Sequence, residues 1–334
     1  SYDDAEVGTC TGTSRWSASD TRATGLLYAA GMEASSTIAP GARGTGGRHY
    51  VWGGKHMPSV RRAYVMTDLE GVAGVDAWDP RHAPYANEAK GVYERSEMQR
   101  LLTGEVNAAA EGLFAAGVEE VLINDCHGAG RTILPELLIP GVKVARGVPR
   151  PYLLLGLSPR FDILVQVGMH AMSDTPNACL AHTMSPAIKA YRVNGREVGE
   201  MELVAYLAGE LGIPWVFTSG DEHACIEAQA WVPGMVTAPV KQGLSEQSAI
   251  HLAPVDARNL IRDRIQQAVA RADQFSPLKP ESPVVLEIER REPGPVEMRP
   301  GGERVDAFTV RWRGESFWDV FHRAVYGYAV PLPK

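Results

Sequence analysis

Acidic side chains that could bind a divalent metal follow an apolar run near the start of the folded part of the chain. Asp68 and Glu70 come directly after residues 63–67 and stand two positions apart, which places both carboxylates on one face of an extended chain. Adjacent carboxylates repel, and one stays protonated unless a cation compensates the charge. The pair indicates a metal site, with a helix N-cap plus a solvated carboxylate as the competing interpretation.

Two histidines and a further glutamate occupy comparable positions. His127 and His170 each follow a predicted strand, and Glu200 begins a predicted helix. Each residue alone is equally consistent with a structural role, such as a loop or core histidine or a first-turn glutamate favoured by the helix dipole. Together with the acidic pair they form a mixed set of oxygen and imidazole ligands, which suits Zn²⁺. A bridging aspartate is a usual way to hold two such ions.

His182 is the candidate for chemistry beyond metal binding. It lies twelve positions after His170. A general base, a group that stabilises an oxyanion and a purely structural histidine are all compatible with this spacing.

The segments that must position these residues alternate between short apolar runs and amphipathic stretches. This alternation predicts an α/β fold with a largely parallel sheet flanked by helices and a smaller α+β portion near the C-terminus. Ligands bind at the carboxyl ends of the strands in such sheets. The predicted strands are 63–67, 120–124, 142–148, 162–167, 215–218, 284–289 and 307–312, with a hairpin at 188–198 and helices at 97–116, 200–211, 257–275 and 316–326.

The chain divides into three predicted parts. Residues 1–56 are rich in Gly, Ser, Thr and Ala without apolar periodicity, which is typical of a disordered or non-native extension ahead of a natural start at Met57. Residues 57–275 are the predicted α/β metal-binding catalytic domain. Residues 276–334 follow a proline-rich linker and are the smaller α+β portion packed on it.

Composition excludes several classes of function. The net charge of −7, with no basic block, argues against nucleic-acid binding, and no apolar run approaches the roughly 18 residues of a membrane span. The four cysteines form no closely spaced pair and do not resemble a secreted disulfide framework, so we expect a cytoplasmic protein.

Five ordered motifs resemble those of the zinc D-aminopeptidases of the dipeptide transport operon type, the M55 family. The resemblance extends over about residues 60–330, and Met66 stands where the family opening S-x-D-x-E-G has its serine. The motifs are Thr67-Asp68-Leu69-Glu70-Gly71, Asn124-Asp125-Cys126-His127, Gly168-Met169-His170, Ala181-His182-Thr183-Met184 and Asn194-Gly195-Arg196-Glu197-Val198-Gly199-Glu200.

The resemblance implies a role for each of these residues. Asp68 would bridge two zinc ions and His182 would be the catalytic histidine. Glu70 and His127 would complete the shell of one ion. His170 and Glu200 would complete the shell of the other.

The activity implied by the resemblance is that of a binuclear zinc aminopeptidase, with Co²⁺ or Mn²⁺ as substitutes. Metal-bound hydroxide would cleave the N-terminal bond of a short peptide or aminoacyl amide, D-amino-acid peptides among them. The resemblance also implies a cytoplasmic homo-oligomer, with a decamer as the candidate assembly. Asp221 and Glu222 are candidates to bind the substrate amine, although a helix N-terminal position is the favoured interpretation of both.

Two alternatives stay open. Two-metal sites also cleave phosphate esters, and Gly128-Ala129-Gly130-Arg131 is a candidate anion nest, although a turn leading into a helix is the favoured interpretation. A non-catalytic metal-binding or solute-binding module is the second alternative.

Overall fold

A computed structural model describes residues 60–293 and 299–334, and the prediction for residues 1–56 lies outside them. The strands are β1 (Arg62–Thr67), β2 (Glu120–Asp125), β3 (Val142–Ala145), β4 (Ile163–Met169), β5 (Ile188–Val193), β6 (Arg196–Val198), β7 (Trp215–Asp221), β8 (Val236–Ser245), β9 (Ser248–His251), β10 (Val284–Arg290), β11 (Glu303–Arg304) and β12 (Thr309–Gly314). The α-helices are α1 (Ala89–Ala115), α2 (Glu200–Glu210), α3 (Glu222–Trp231), α4 (Pro254–Ala270) and α5 (Phe317–Tyr326).

The main sheet has seven strands in the order β3-β2-β1-β4-β7-β8-β9. Neighbouring strands are parallel except for the antiparallel pair β8–β9. Every residue of β4 is buried, as expected for a central parallel strand that is covered on both faces. The predicted α/β fold with a largely parallel sheet is therefore confirmed.

Helices flank this sheet in two groups. Helices α1 and α4 pack against each other and contact β4, β7 and β8, whereas α2 contacts β4 and β7 and packs on α5. Helix α1 begins at Ala89, earlier than the predicted start at residue 97. Most of its first eight residues are exposed or half-buried, so they lack the apolar stripe from which a helix is recognised in sequence.

A second sheet joins the middle of the chain to its C-terminal part. It has five strands in the order β11-β12-β10-β5-β6, and its neighbouring strands are antiparallel. The predicted hairpin at 188–198 is confirmed, because Asn194 and Gly195 take positive φ angles of 51° and 81° at its turn. Helix α5 packs on β10 and β12.

Helix α3 and strands β8 and β9 are absent from the predicted elements. Strand β8 contains Pro239, which interrupts a strand pattern in sequence. The structure accommodates it at an irregularity where Gly220 pairs with Pro239 and Asp221 pairs with Lys241. None of the helices formed by residues 60–293 and 299–334 has the length and apolar character needed to cross a bilayer.

Candidate metal centre

The carboxyl ends of three neighbouring parallel strands bring the predicted acidic and imidazole side chains together. Strand β1 lies between β2 and β4 in the main sheet. Asp68 and Glu70 follow β1, His127 follows β2 and His170 follows β4. Asp68 is only 3% exposed, and Glu70 and His170 are buried with it. The parallel register therefore converts distant sequence positions into one buried cluster.

Glycines allow the segments after β1 and β4 to approach each other closely. The Asp68 N–H donates to the Val167 carbonyl at 2.9 Å, and the Gly71 N–H donates to the Gly168 carbonyl at 2.8 Å. Gly168 has a φ of +77°, and a Cβ added there would overlap the carbonyl oxygen of Asp68. A Cβ at Gly71 would overlap the carbonyl oxygen of Met169. The close approach of these two backbones excludes any larger residue at both positions.

Glu200 and His182 extend the cluster on the side of helix α2. Glu200 is the first residue of α2, and its Oε1 accepts a hydrogen bond from the Met184 N–H at 2.7 Å. The same oxygen lies 3.4 Å from His170 Nε2 and 3.5 Å from His182 Nε2. The two imidazole rings stack, with their centroids 4.1 Å apart. All six residues predicted for the site therefore lie within contact of one another or of a shared neighbour.

The two carboxylate oxygens of Asp68 face different histidines. Oδ1 lies 2.9 Å from His127 Nδ1, and Oδ2 lies 3.3 Å from His170 Nε2. Glu70 Oε2 lies 3.0 Å from the same His127 nitrogen. Asp68 thus occupies the centre of the cluster, between one group formed with His127 and Glu70 and another formed with His170.

The outer nitrogens of the histidines determine which ring atoms can act as ligands. His170 Nδ1 lies 3.0 Å from the Ala171 carbonyl oxygen, and His127 Nε2 lies 3.4 Å from Asp79 Oδ2. Carbonyl and carboxylate oxygens only accept, so in neutral rings that bind a metal these outer nitrogens would carry the hydrogens. The inner nitrogens would then direct their lone pairs at an ion held between them and the carboxylates.

Unpaired buried atoms support the fit of a metal to this cluster. Glu70 Oε2 and His170 Nε2 are buried, and despite their close neighbours neither has a partner with hydrogen-bond geometry in the described part of the chain. Such atoms are rare in folded proteins and call for a bound ion or a functional explanation. Two sets of ligand atoms, each within 4.8 Å of one another, come from Asp68, Glu70 and His170 and from His170, His182 and Glu200.

The electrostatics of the cluster show mutual stabilisation of opposite charges. Burial raises the pKa of Asp68, but contact with His127 and His170 outweighs this and lowers the pKa well below its usual range. Burial also raises the pKa of Glu200, and contact with His170 reverses the shift, so this pKa is lowered as well. Burial lowers the pKa of both histidines, yet the facing carboxylates raise each well above its ordinary value. The cluster therefore requires positive charge.

Asp79 is a component of the site that the sequence did not reveal. It accepts a hydrogen bond from Arg81 Nε at 2.7 Å and lies 3.4 Å from Arg95 Nε while its Oδ2 faces His127 Nε2. Burial raises the pKa of Asp79, but His127 and Arg81 outweigh it and the pKa is lowered. The residue orients His127 with Nδ1 towards the other carboxylates. It lies in a loop without periodicity, so no sequence pattern distinguishes it from a turn aspartate.

The loop that carries Asp68 and Glu70 is fastened from two sides. The buried Lys241 Nζ donates to the backbone carbonyls of Glu70 and Val75, the latter at 2.6 Å. The Ala73 N–H donates to Glu105 Oε1 of helix α1 at 2.9 Å. Side chains from α1 and β8 therefore hold the loop in place.

Asp221 and Glu222 adopt the structural role that the sequence favoured. Asp221 is the N-cap of helix α3, where its Oδ1 accepts from the His223 N–H at 2.8 Å, and Glu222 lies in the first turn. Neither residue lines the cavity at the cluster.

A cavity of about 750 Å³ opens onto the cluster. Trp78 lines this cavity and packs edge-on against His182 with ring centroids 5.3 Å apart. The walls of the cavity are largely apolar and also include the charged residues of the cluster, as in sites for small ligands. The apolar wall includes Met66, Trp78, Val148, Leu153, Met184 and Tyr326.

A parallel sheet with a buried cluster of carboxylates and imidazoles at its carboxyl edge, open to an apolar cavity, has the features of an α/β enzyme with a metal-dependent site. The chain belongs to the Peptidase_M55 family, described as D-aminopeptidase, whose family model matches residues 61–325. This is a family of peptide-bond hydrolases, and the resemblance inferred from the motifs is confirmed.

Comparison with individual proteins agrees with this assignment. The D-aminopeptidase of Bacillus subtilis (strain 168) is 29% identical over 265 residues, which cover 78% of this chain and 94% of that protein. A solved structure of the Zn-dependent D-aminopeptidase DppA from Bacillus subtilis, described as a self-compartmentalizing protease, matches with a TM-score of 0.72 and 29% identity. The match covers 80% of this chain and 96% of that chain.

Replacing Gly168 with alanine should disrupt the cluster. We expect Gly168→Ala to lower the free energy of unfolding by about 3 kcal/mol or more, because backbone strain adds to the overlap with Asp68. Gly212→Ala is the matched control, since Gly212 has a similar φ of +80° but no atom within 4 Å of an added Cβ. The control should lose only about 1 kcal/mol. Denaturant unfolding measures both, and equal losses would contradict the proposed close approach.

Glu105 should make stability depend on pH. Burial raises the pKa of Glu105 to about 7, against opposing effects of the Ala73 N–H, Lys241 and Arg258. The unfolded chain releases this proton near pH 4.5 and the folded chain near pH 7. The folded state is therefore destabilised as the pH rises through this window, by about 3 kcal/mol at most.

Glu105→Gln removes this titration, so its stability relative to the wild type should improve between pH 5 and pH 8. Unfolding free energies of both proteins across this range measure the effect. Glu97→Gln, which changes an exposed glutamate of the same helix, is the control. A constant difference between Glu105→Gln and the wild type at all pH values would contradict the assignment.

Proposed function

We propose that this protein is a binuclear zinc aminopeptidase that removes the N-terminal residue of short peptides, with D-amino-acid peptides as the favoured substrates. The division of the Asp68 carboxylate between two histidines, at 2.9 Å and 3.3 Å, is the observation that carries this proposal. A carboxylate placed in this way can bridge two ions. Membership of the D-aminopeptidase family and similarity to a relative described as Zn-dependent support the choice of bond and metal.

Five side chains would hold the metals. Asp68 would bridge the two ions, Glu70 and His127 would complete one shell, and His170 and Glu200 would complete the other. Carboxylate oxygens with imidazole nitrogens are a donor set that suits Zn²⁺, and Co²⁺ or Mn²⁺ would be substitutes. When bound, the metals would supply Lewis acidity towards the scissile carbonyl and would lower the pKa of water.

His182 is proposed as the catalytic histidine. Its Nδ1 lies 3.0 Å from the Leu180 carbonyl oxygen, which can only accept, so Nδ1 carries the hydrogen of the neutral ring. Nε2 therefore presents its lone pair on the side of Glu200 and can take up a proton there. The protonated ring can then deliver that proton to the leaving amine. Trp78 packs against the ring in an edge-to-face arrangement.

The apolar cavity would hold the substrate side chain and exclude water from the reacting bond. Its walls are provided by side chains from several elements, including Met66 of β1 and Tyr326 of α5. The observed geometry favours peptide hydrolysis over the phosphoesterase alternative. The two arginines that line the cavity each have a polar partner already, because Arg81 pairs with Asp79 and Arg150 donates to Asn124 Oδ1.

Substitutions of single site residues distinguish the proposed metal ligands from the proposed catalytic histidine. We expect Asp68→Asn and His127→Ala to lose bound zinc and activity together. His182→Ala should keep its zinc while kcat falls by about 10²- to 10⁴-fold. Metal analysis of dialysed protein and steady-state kinetics measure both, with His223→Ala as the histidine control on helix α3. Normal zinc content and activity in His127→Ala would refute the site, and zinc loss in His182→Ala would make His182 a ligand.

A substrate panel tests the bond and its stereochemistry. D-aminoacyl and L-aminoacyl anilides, offered with zinc, cobalt or manganese, should be hydrolysed with preference for the D series. A chromogenic phosphate ester should remain intact in the same assay. Cleavage of the ester without anilide cleavage would establish the phosphoesterase, and no turnover of any substrate would favour a binding module.

The assembly and location of the protein are part of the same proposal. The related structure is described as self-compartmentalizing, which supports a homo-oligomer that encloses its active sites. A decamer, a cytoplasmic location and a division between catalytic and C-terminal portions near residue 275 stay predictions.

A further inference from the structure

A second cavity of about 730 Å³ lies beside the cavity at the metal centre, and Met184 lines both of them. Its apolar surface comes mainly from the five-stranded sheet, with Ile188 of β5 and Ile288 of β10 among the residues that line it. Two guanidinium groups, those of Arg290 and Arg299, also line it. The cavity therefore combines an apolar wall with two positive charges.

The two arginines of this cavity have no carboxylate partner among the described residues, in contrast to Arg192 and Arg311 of the same sheet. Glu287 pairs with Arg311 at 2.6 Å and Glu289 pairs with Arg192 at 2.6 Å, and none of these four residues lines the cavity. Arg290 has no carboxylate within 4 Å among residues 60–293 and 299–334, and its buried Nε has no hydrogen-bond partner there. The sheet thus pairs Arg192 and Arg311 and, among the described residues, leaves Arg290 in the cavity without a carboxylate partner.

Two further donors belong to the same cavity. Arg299 Nη1 donates to the Ala324 carbonyl at 3.2 Å, and no described carboxylate pairs with this guanidinium. Trp312 is 3% exposed, and its indole N–H has no acceptor in the part of the chain that the structure describes. Buried donors without acceptors are costly, and guanidinium groups match the geometry of an oxyanion. These groups are therefore suited to an anionic ligand.

The arginines of the cavity at the metal centre differ from those of the second cavity. Arg81 pairs with Asp79, and Arg150 donates to Asn124 and to backbone carbonyls, although Arg81 Nη2 and Arg150 Nε have no acceptor among the described residues. A short peptide whose first peptide bond lies at the metal centre extends its carboxylate end away from that bond, and the arginines of the neighbouring cavity match this negative end. Acidic residues lining the first cavity are Asp68, Glu70, Asp79, Glu200 and Glu246.

We propose that the second cavity binds the terminal carboxylate of a short peptide whose first peptide bond lies at the metal centre. Arg290 and Arg299 bind the carboxylate, and the Trp312 N–H is the third donor. Met184 connects the two cavities, because its N–H donates to Glu200 Oε1 at 2.7 Å while the residue lines both. This assignment rests on the proposed aminopeptidase function and makes the enzyme selective for peptides with a free C-terminal carboxylate.

The test compares peptides that differ only at the carboxyl end. Zinc-loaded protein is assayed on D-alanine dipeptides, tripeptides and tetrapeptides, each as the free acid and as the C-terminal amide. For the length that spans the two cavities, we expect kcat/KM to favour the acid by about 10- to 100-fold, the range for hydrogen bonds to a charged group. Arg290→Gln should reduce this preference at least several-fold, mainly because KM for the acid rises more than KM for the amide.

Two variants separate recognition from folding and from general charge. Trp312→Phe keeps an aromatic ring and removes the indole donor together with part of the buried side-chain volume, so it should weaken the preference for the acid by a smaller factor. Arg313→Gln removes an exposed positive charge from the same strand, β12, outside the cavity, and should leave the preference intact. Thermal unfolding establishes that each variant is folded.

Equal kcat/KM for acid and amide at every length would overturn the assignment, as would a preference that survives in Arg290→Gln or falls equally in Arg313→Gln. If no peptide is hydrolysed at all, the proposed function fails, and calorimetric titration of the same zinc-loaded protein with the uncleaved acid and amide still tests the cavity. Binding of inorganic phosphate without discrimination between acid and amide would identify an effector anion site instead and would also overturn the assignment.

Discussion

Three carboxylates, two of them buried and the third half-buried, lie close together at one edge of a parallel sheet and are the constraint on which the rest of this structure depends. Asp68, Glu70 and Glu200 cannot remain ionised in a region of low dielectric without compensating positive charge. The three histidines among them direct their inner nitrogens at the carboxylates while their outer nitrogens lie near Asp79 and backbone carbonyls. A metal-binding arrangement satisfies the electrostatic and the hydrogen-bonding demands of the cluster together.

Each of the two sheets positions different residues of this site. The main sheet supplies three strand ends, and the Gly168 backbone permits their close approach. The second sheet supplies the hairpin β5–β6, which leads directly into α2 and so positions Glu200. Between the two, the segment that carries His182 contains Leu180 and Met184 with positive φ angles of 56° and 64°. Such conformations cost about 1 kcal/mol or more each and persist where surrounding contacts, such as the Met184 bond to Glu200, require them.

The two sheets also differ in the charged side chains that they would present to a substrate. The carboxylates where the parallel strands end would be neutralised by the metals that they hold, and two arginines without a carboxylate partner among the described residues line the neighbouring cavity of the second sheet. These arginines would orient a ligand that carries a carboxylate at one end. The apolar walls of both cavities would strengthen these interactions by excluding water.

Much of the fold was predictable from local sequence patterns, because apolar runs and amphipathic stretches indicate which residues are buried. The strands that precede Asp68, His127 and His170, and the Asn194-Gly195 hairpin, were predictable on this basis, as were the six candidate site residues from their types and motif order. Helix α3 and strand β8 were not predicted. Strand β8 contains Pro239, which interrupts the strand pattern in the sequence, and the irregular pairing of β8 with β7 accommodates this proline. The sequence by itself determined the parallel α/β architecture and the family. Only the tertiary structure decided that Asp79 supports His127, that Lys241 holds the ligand loop, and that Arg290 has no carboxylate partner among the residues that the structure describes. These are contacts between residues far apart in the chain, and no local periodicity encodes which distant side chains meet.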